Sequence, residues 1–124
     1  MTSFVKVLNI GLRALAGAAL LLGVAFWLGY ARELTRVHMG LGSLLVLCLW
    51  ILTVVVWARA RRHGLAALAI AWGLGTWVFG LFQAAILPGP WHWVIQTAHP
   101  ASAIVAVVIG RQLASVYVRD RAGR

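Results

Sequence analysis

The sequence predicts an all-α integral membrane protein, an up-down-up-down four-helix bundle with both termini in the cytoplasm. Three observations predict this fold: the composition, the lengths of the apolar segments and the placement of the basic residues. Of the 124 residues, 63% are apolar and 10% are charged, whereas a soluble domain has about 25% charged residues. The mean hydropathy is +0.93. Because apolar segments occupy most of the chain, we expect a single transmembrane domain over residues 1–124.

Four apolar segments are long enough to cross a membrane, since about 20 such residues span the hydrocarbon core. The helices are expected at approximately 4–30, 38–58, 65–87 and 93–118. Their apolar runs are continuous rather than alternating, which excludes barrel strands and favours helices. The first segment follows basic residues as a secretory signal does, but Gly29-Tyr30-Ala31 is a poor cleavage site, so we expect a retained helix. Short connections make sequential helices antiparallel.

The basic residues are divided unevenly between the two predicted sides of the membrane. One side carries only Arg32 and Arg36. The other side carries Lys6, Arg13, Arg59, Arg61, Arg62, Arg111, Arg119, Arg121 and Arg124. Because cytoplasmic loops hold the excess of Lys and Arg, both termini are expected in the cytoplasm, in a bacterial cytoplasmic membrane. Arg13 and Arg111 are expected to extend to the inner interface.

The net charge of +9 is therefore interpreted as a topology signal. Membrane lipid is the expected partner, through attraction of the basic residues to anionic lipids of the inner leaflet. Nucleic-acid binding is not expected, because the basic residues are scattered over helix ends rather than gathered in one groove.

Two histidines stand at the entrances of apolar segments, His38 in the second and His99 in the fourth. Ionisable residues at membrane depth are costly and are read as functional by default. The second and fourth helices are diagonal partners in a simple four-helix ring, so both imidazoles could approach one flat macrocycle from opposite faces. Haem iron takes axial histidines in this way, and bundle cores house such cofactors. Small residues follow or surround each histidine and leave room for it: Gly40, Gly42, Ser43, Ala98, Ala101, Ser102, Ala103 and Ala106.

Other polar residues complete the predicted site. Arg32 and Arg36 flank His38 and could pair with haem propionates. Gln83 and Gln96 could orient a ligand imidazole through its second nitrogen. His92, between two tryptophans, is interpreted first as an interface residue and second as a propionate contact or substitute axial ligand.

Each of these residues also has an ordinary structural interpretation. A membrane histidine can pack or cap a helix, and the two glutamines can join helices by hydrogen bonds. His63 belongs to a basic loop, and Cys48 has no cysteine partner in the chain. Several tryptophans lie near predicted interfaces as belt residues: Trp27, Trp57, Trp91 and Trp93. Small residues along the segments would allow close helix approach: Ala19, Gly23, Gly73, Gly75, Gly80 and Gly110.

Two short motifs carry a family resemblance. The pattern Val37-His38-Met39-Gly40-Leu41-Gly42 opens the second helix, and Trp91-His92-Trp93-Val94-Ile95-Gln96 leads to His99. The chain resembles small four-helix membrane cytochromes b of the cytochrome b561-like group, and equally one four-helix half of haem A synthase. The resemblance implies that His38 and His99 are axial haem ligands. The chain departs from the usual pattern of cytochrome b561 proteins, which bind two haems with four histidines, because no histidine is predicted in the cytoplasmic half of the bundle. The haem A synthase pattern has a glutamate close before this histidine, and Glu33 matches it loosely.

The sequence therefore predicts a membrane-embedded b-type cytochrome with one haem b near the outer face, for one-electron transfer. The expected redox partners are a quinol or a periplasmic protein, and the chain could form a homo-oligomer or a subunit of a larger complex. If it is an enzyme, it is a haem-dependent membrane oxidoreductase, because no acid–base or nucleophilic group of residues is visible. Two alternatives stay open. One is a protein that handles haem or metal ions through His38, Met39, His92 and His99; the other is a non-catalytic accessory subunit.

Overall fold

A computed structural model describes residues 2–123, so Met1 and Arg124 lie outside the described part of the chain. Four long α-helices make up most of it: α1 (Thr2–Trp27), α2 (Thr35–Ala60), α3 (His63–Phe82) and α4 (His92–Ala122). Two short 3₁₀ turns, Arg32–Leu34 and Gln83–Ala85, lie in the connections. The predicted all-α class is confirmed, and all four helices are long and apolar enough to cross a membrane.

Helix α1 ends at Trp27, three residues before the predicted boundary, because the chain turns at a glycine. The N–H of Tyr30 donates to the carbonyl of Ala25 at 2.8 Å, and the N–H of Gly29 donates to that of Phe26 at 3.0 Å. Gly29 has a φ of 88°. This is the Schellman arrangement, in which a glycine in the left-handed region closes the helix and its last carbonyls find donors.

Helix α3 also ends early, at Phe82 rather than near residue 87. A 3₁₀ turn follows it, and the connection then passes through two residues of positive φ, Leu87 at 50° and Gly89 at 95°. Pro88 and Pro90 lie in the same connection and have no N–H with which to continue a helix. Residues 84–87 are apolar, so composition alone extended the predicted helix to residue 87.

Helices α2 and α4 form the centre of the bundle. They pack against each other, and each also packs against both α1 and α3. A buried apolar cluster fills the part of the bundle away from the two predicted ligand histidines. Its members are Val5, Leu12, Leu45, Val46, Leu49, Leu52, Val56, Ala69, Ala106, Ile109, Leu113 and Tyr117. We call this part the core half and the part around His38 and His99 the cavity half.

Glycines allow close contacts between helices, as the sequence predicted for two of them. A β-carbon at Gly110 of α4 would collide with Cδ2 of Leu12 on α1. A β-carbon at Gly73 of α3 would lie 2.7 Å from Nε1 of Trp50 on α2. Gly75 differs, because no atom lies within 4 Å of an added β-carbon there. The α1–α4 and α2–α3 contacts therefore depend on two specific glycines.

Three tryptophans join helices by hydrogen bonds. Nε1 of Trp72 on α3 donates to the carbonyl of Ser102 on α4 at 2.9 Å. Nε1 of Trp77 donates to Oγ of Ser43 on α2 at 3.0 Å. Nε1 of Trp50 donates to the carbonyl of Ile70 at 3.3 Å. All three bonds hold α3 to a helix that carries a candidate histidine, two of them to α2 and one to α4.

Candidate functional site

The cavity half encloses a space of about 570 Å³ to which all four helices contribute residues. Along α1 its lining runs from Arg13 to Trp27, a length of roughly 21 Å at the helical rise per residue. Most of the lining is apolar, and small residues take part on every helix. Cofactor sites are typically concave and mainly apolar, with a few placed polar groups. The cavity is therefore the main candidate for a ligand site in the described part of the chain.

His38 and His99 meet in this cavity from opposite helices. The centres of their imidazole rings are 6.2 Å apart, and the ring planes are inclined by 58°. His38 is the fourth residue of α2, and His99 is the eighth residue of α4. Both side chains are half-buried. The structure thus brings together the two residues that the sequence pattern singled out.

Each imidazole has the same kind of neighbours on the helix beside it. Phe26 of α1 meets the His38 ring edge-on at a centroid distance of 5.3 Å, and Phe79 of α3 meets the His99 ring edge-on at 5.7 Å. A β-carbon at Gly80 of α3 would lie 2.8 Å from Cε1 of His99, and one at Gly23 of α1 would lie 3.6 Å from Cε1 of His38. A phenylalanine and a glycine therefore hold each ring in place.

The cavity wall contains polar atoms without partners. Nδ1 of His38, Nδ1 of His99 and Oγ1 of Thr76 are buried, and none has a hydrogen-bond partner among the described residues. All three residues line the cavity. An unsatisfied buried polar group costs about 1–3 kcal/mol, so such groups are rare and require an explanation. Three such atoms therefore line one space in the described part of the chain.

The remaining predicted site residues divide into two groups. Gln83, Gln96 and His92 line the cavity, but neither glutamine is hydrogen-bonded to Nδ1 of His38 or His99, which have no partner among the described residues. Arg32 and Arg36 are exposed and lie outside the lining, so the structure does not bring them to the histidine pair.

Sequence reasoning gave three residues of this cavity other roles and did not single out Thr76. Arg13, which was expected to extend to the inner interface, contributes to the lining. Gly23 and Gly80, which were expected to serve helix approach, instead lie against the imidazoles. A basic residue near the middle of α1 was the one available signal, since such a residue is a candidate functional group by default.

His92 has a defined hydrogen bond at the rim. Its Nδ1 lies 3.2 Å from the carbonyl oxygen of Ile86. A carbonyl only accepts, so Nδ1 carries the proton, and in the neutral ring Nε2 keeps a lone pair. His92 can then accept a hydrogen bond or bind a metal through Nε2. A neutral His92 cannot donate from Nε2 to a carboxylate.

His63 has a separate role at the α2–α3 connection. Nε1 of Trp57 donates to Nδ1 of His63 at 2.9 Å, and the two rings meet edge-on. His63 does not line the cavity. It therefore provides a histidine control for experiments on the cavity.

A conventional multi-ligand metal site is not assembled in the described part of the chain. No group of three or more His, Cys, Asp or Glu side chains is placed to hold a metal ion within residues 2–123. Structural zinc sites need four ligands, and catalytic zinc sites need three from the protein. The histidine pair therefore offers two imidazole ligands at most from the described residues.

Comparison of the chain with protein-family models, with curated proteins and with solved structures finds no match.

Proposed function

We propose that this chain is a membrane-embedded b-type cytochrome that holds one haem b between α2 and α4, with His38 and His99 as the axial ligands. The observation that carries the proposal is the pair of imidazoles 6.2 Å apart in a largely apolar cavity. When bound, the haem would supply reversible one-electron transfer at its iron. The residues of the chain would position it and tune its potential through ligand identity, burial and nearby charge.

The spacing of the two rings supports one metal ion between them, provided that a nitrogen of each ring points at the ion. Metal–nitrogen bonds to histidine are about 2.0–2.1 Å long, so two imidazoles on opposite sides of one ion have ring centres roughly 6.3 Å apart. The observed separation is 6.2 Å. In such a pair each ring plane contains the bond axis and can rotate about it, so an inclination of 58° is compatible.

The surroundings of the rings also fit a flat apolar cofactor. The volume of 570 Å³ lies within the usual range of about 300–1,000 Å³ for cofactor and ligand sites. Phe26 and Phe79 restrict the imidazole orientations, which is the role that neighbouring groups have around metal-bound histidines. The amides of Gln83 and Gln96 lie in the lining and can donate to carboxylates of a bound group.

The proposal includes an orientation in the membrane. With the nine basic residues of one predicted side in the cytoplasm, both termini are cytoplasmic, the helices alternate in direction and the cavity half faces outward. Electron exchange would then occur on the outer side, with a quinol or a periplasmic redox partner.

Spectra of purified single variants test the ligand assignment. His38→Ala and His99→Ala should each abolish the six-coordinate low-spin spectrum, because either change removes one axial ligand. His63→Ala is the matched control and should keep the spectrum, since His63 lies outside the cavity. His92→Ala should also keep it. Loss of the spectrum in His92→Ala with retention in His99→Ala would show that the pair is misassigned.

A further inference from the structure

An open surface groove, with a volume of about 420 Å³, lies between α1 and α4 at the core half of the bundle. We call it the basic groove and define it by its polar lining residues: Lys6, Asn9, Arg111, Ser115 and Arg119. No acidic side chain is among its lining residues, and Asp120 lies outside it. Among the described residues, the lining of the groove therefore holds three cations and no carboxylate.

The helical periodicity explains why these residues share one site. Arg111, Ser115 and Arg119 follow each other at intervals of four on α4, and Lys6 and Asn9 are three apart on α1. Such intervals place side chains on one face of a helix. The two faces meet because α1 packs against α4. The basic groove is thus a consequence of how the two helices pair.

Asn9 supplies a second, independent observation. Its Oδ1 is buried and has no hydrogen-bond partner among the described residues. The oxygen and nitrogen of a carboxamide are exchanged by a simple flip, so this group can offer its NH₂ donors to an acceptor oxygen in the groove. A carboxamide whose buried oxygen has no partner, beside three cations, fits an anion that carries several oxygens.

The length of α4 bears on where the groove would lie in a membrane. Its 31 residues extend about 46 Å, which exceeds the hydrocarbon thickness of about 30 Å. The basic residues of α4 all lie in its last dozen positions, from Arg111 onward. The excess length is therefore expected at this end, which would place the groove where lipid phosphates are found.

We propose that the basic groove binds the phosphate headgroup of one anionic phospholipid. Lys6, Arg111 and Arg119 would neutralise the phosphate, and guanidinium groups suit it because their N–H groups match its oxygens. Val7 and Ile10 of α1, 64% and 63% exposed, provide apolar surface for the acyl chains. Basic pockets between membrane helices are a known type of lipid headgroup site.

Native mass spectrometry of the purified full-length protein tests this proposal, with phosphatidylglycerol and phosphatidylcholine as probes. The unaltered protein should retain one phosphatidylglycerol in preference to phosphatidylcholine. The double variant R111Q/R119Q should bind phosphatidylglycerol about 30-fold more weakly, given the usual contribution of about 1 kcal/mol from each basic residue near the membrane surface. The variant R61Q/R62Q removes the same charge from the α2–α3 connection and should bind as the unaltered protein does.

Further variants and competitors distinguish headgroup binding from a folding defect and from binding of a free anion. R111K/R119K should keep most of the binding, and circular dichroism should show equal helix content in all variants. Equal binding of both lipids, or equal weakening in R61Q/R62Q, overturns the proposal. Displacement of the lipid by an equal concentration of inorganic phosphate would assign the groove to the free anion instead. None of these outcomes depends on haem, so failure here is distinct from failure of the cytochrome proposal.

Discussion

Gly80 lies against one of the two imidazoles that define the candidate site. A β-carbon there would be 2.8 Å from Cε1 of His99, a distance that requires the ring to move. Gly80→Ala should therefore displace His99 and lower haem retention about tenfold or more, as changes beside metal-bound histidines typically do. The measurement is the ratio of haem absorbance to protein after purification.

Gly75 provides the matched control on the same helix. No atom lies within 4 Å of a β-carbon added there. Alanine is the better helix former by up to about 1 kcal/mol, so Gly75→Ala should leave both haem retention and stability intact or slightly raised. Equal haem content in the Gly80→Ala and Gly75→Ala proteins would contradict the proposed position of His99.

At the scale of residues, the sequence predicted the level of a residue along the bundle better than the direction in which its side chain points. The positions of His38 and His99 near the starts of their segments were enough to expect them at one level. The positions of Arg13, Gly23 and Gly80 depend on how α1 and α3 are rotated about their own axes. Helices that are apolar nearly all round carry little information on that rotation. The cavity-lining role of Arg13 therefore became visible only with the packed helices.

At the scale of helices, the contact between Leu12 and Gly110 holds α1 against α4. Leu12 is fully buried, and a β-carbon at Gly110 would collide with it. Overpacking a close-packed site costs typically 1–3 kcal/mol, so Gly110→Ala should lower the free energy of unfolding by about that amount. Unfolding of the purified protein in detergent, followed by circular dichroism, measures the change.

Two further variants show whether the contact between Leu12 and Gly110 is responsible for the loss of stability. Gly17→Ala adds a methyl group on α1 where no atom lies within 4 Å, and it should not destabilise the protein. Leu12→Ala in the Gly110→Ala background removes the collision, so the two changes should be less costly together than the sum of their separate costs. Strict additivity would mean that the two side chains do not meet.

The helices themselves were predictable, but their ends were less so. Apolar length is enough to expect each helix, because the backbone must satisfy its own hydrogen bonds in lipid. The end of α1 is set by the left-handed turn at Gly29, and the end of α3 by the 3₁₀ turn and the prolines after it. These local turns interrupt apolar stretches without changing their composition. Hydropathy alone therefore overextended both helices.

At the scale of the whole molecule, the asymmetric placement of basic residues predicts both termini in the cytoplasm. Cysteine labelling from outside intact cells tests this orientation after Cys48 is replaced by alanine. Arg32→Cys should react with a membrane-impermeant reagent, because its connection would face outward. Arg62→Cys should react only after the cells are opened. The reverse pattern would place the cavity half on the cytoplasmic side.

The two halves of the bundle differ in packing and so suit different roles. The core half is filled by a buried apolar cluster, whereas the cavity half is hollow around its two histidines. A packed half can hold α2 and α4 at a fixed separation while the other half leaves room for a ligand. Such support from rigid elements is what a preorganised site requires.

The most direct test of the central claim is the absorption spectrum of the purified protein, recorded oxidised and then reduced, together with its haem content. One haem per chain with a reducible six-coordinate low-spin spectrum is the predicted result, because two imidazoles 6.2 Å apart suit the two axial positions of one iron. A colourless protein that takes up no added haem would contradict the cytochrome assignment.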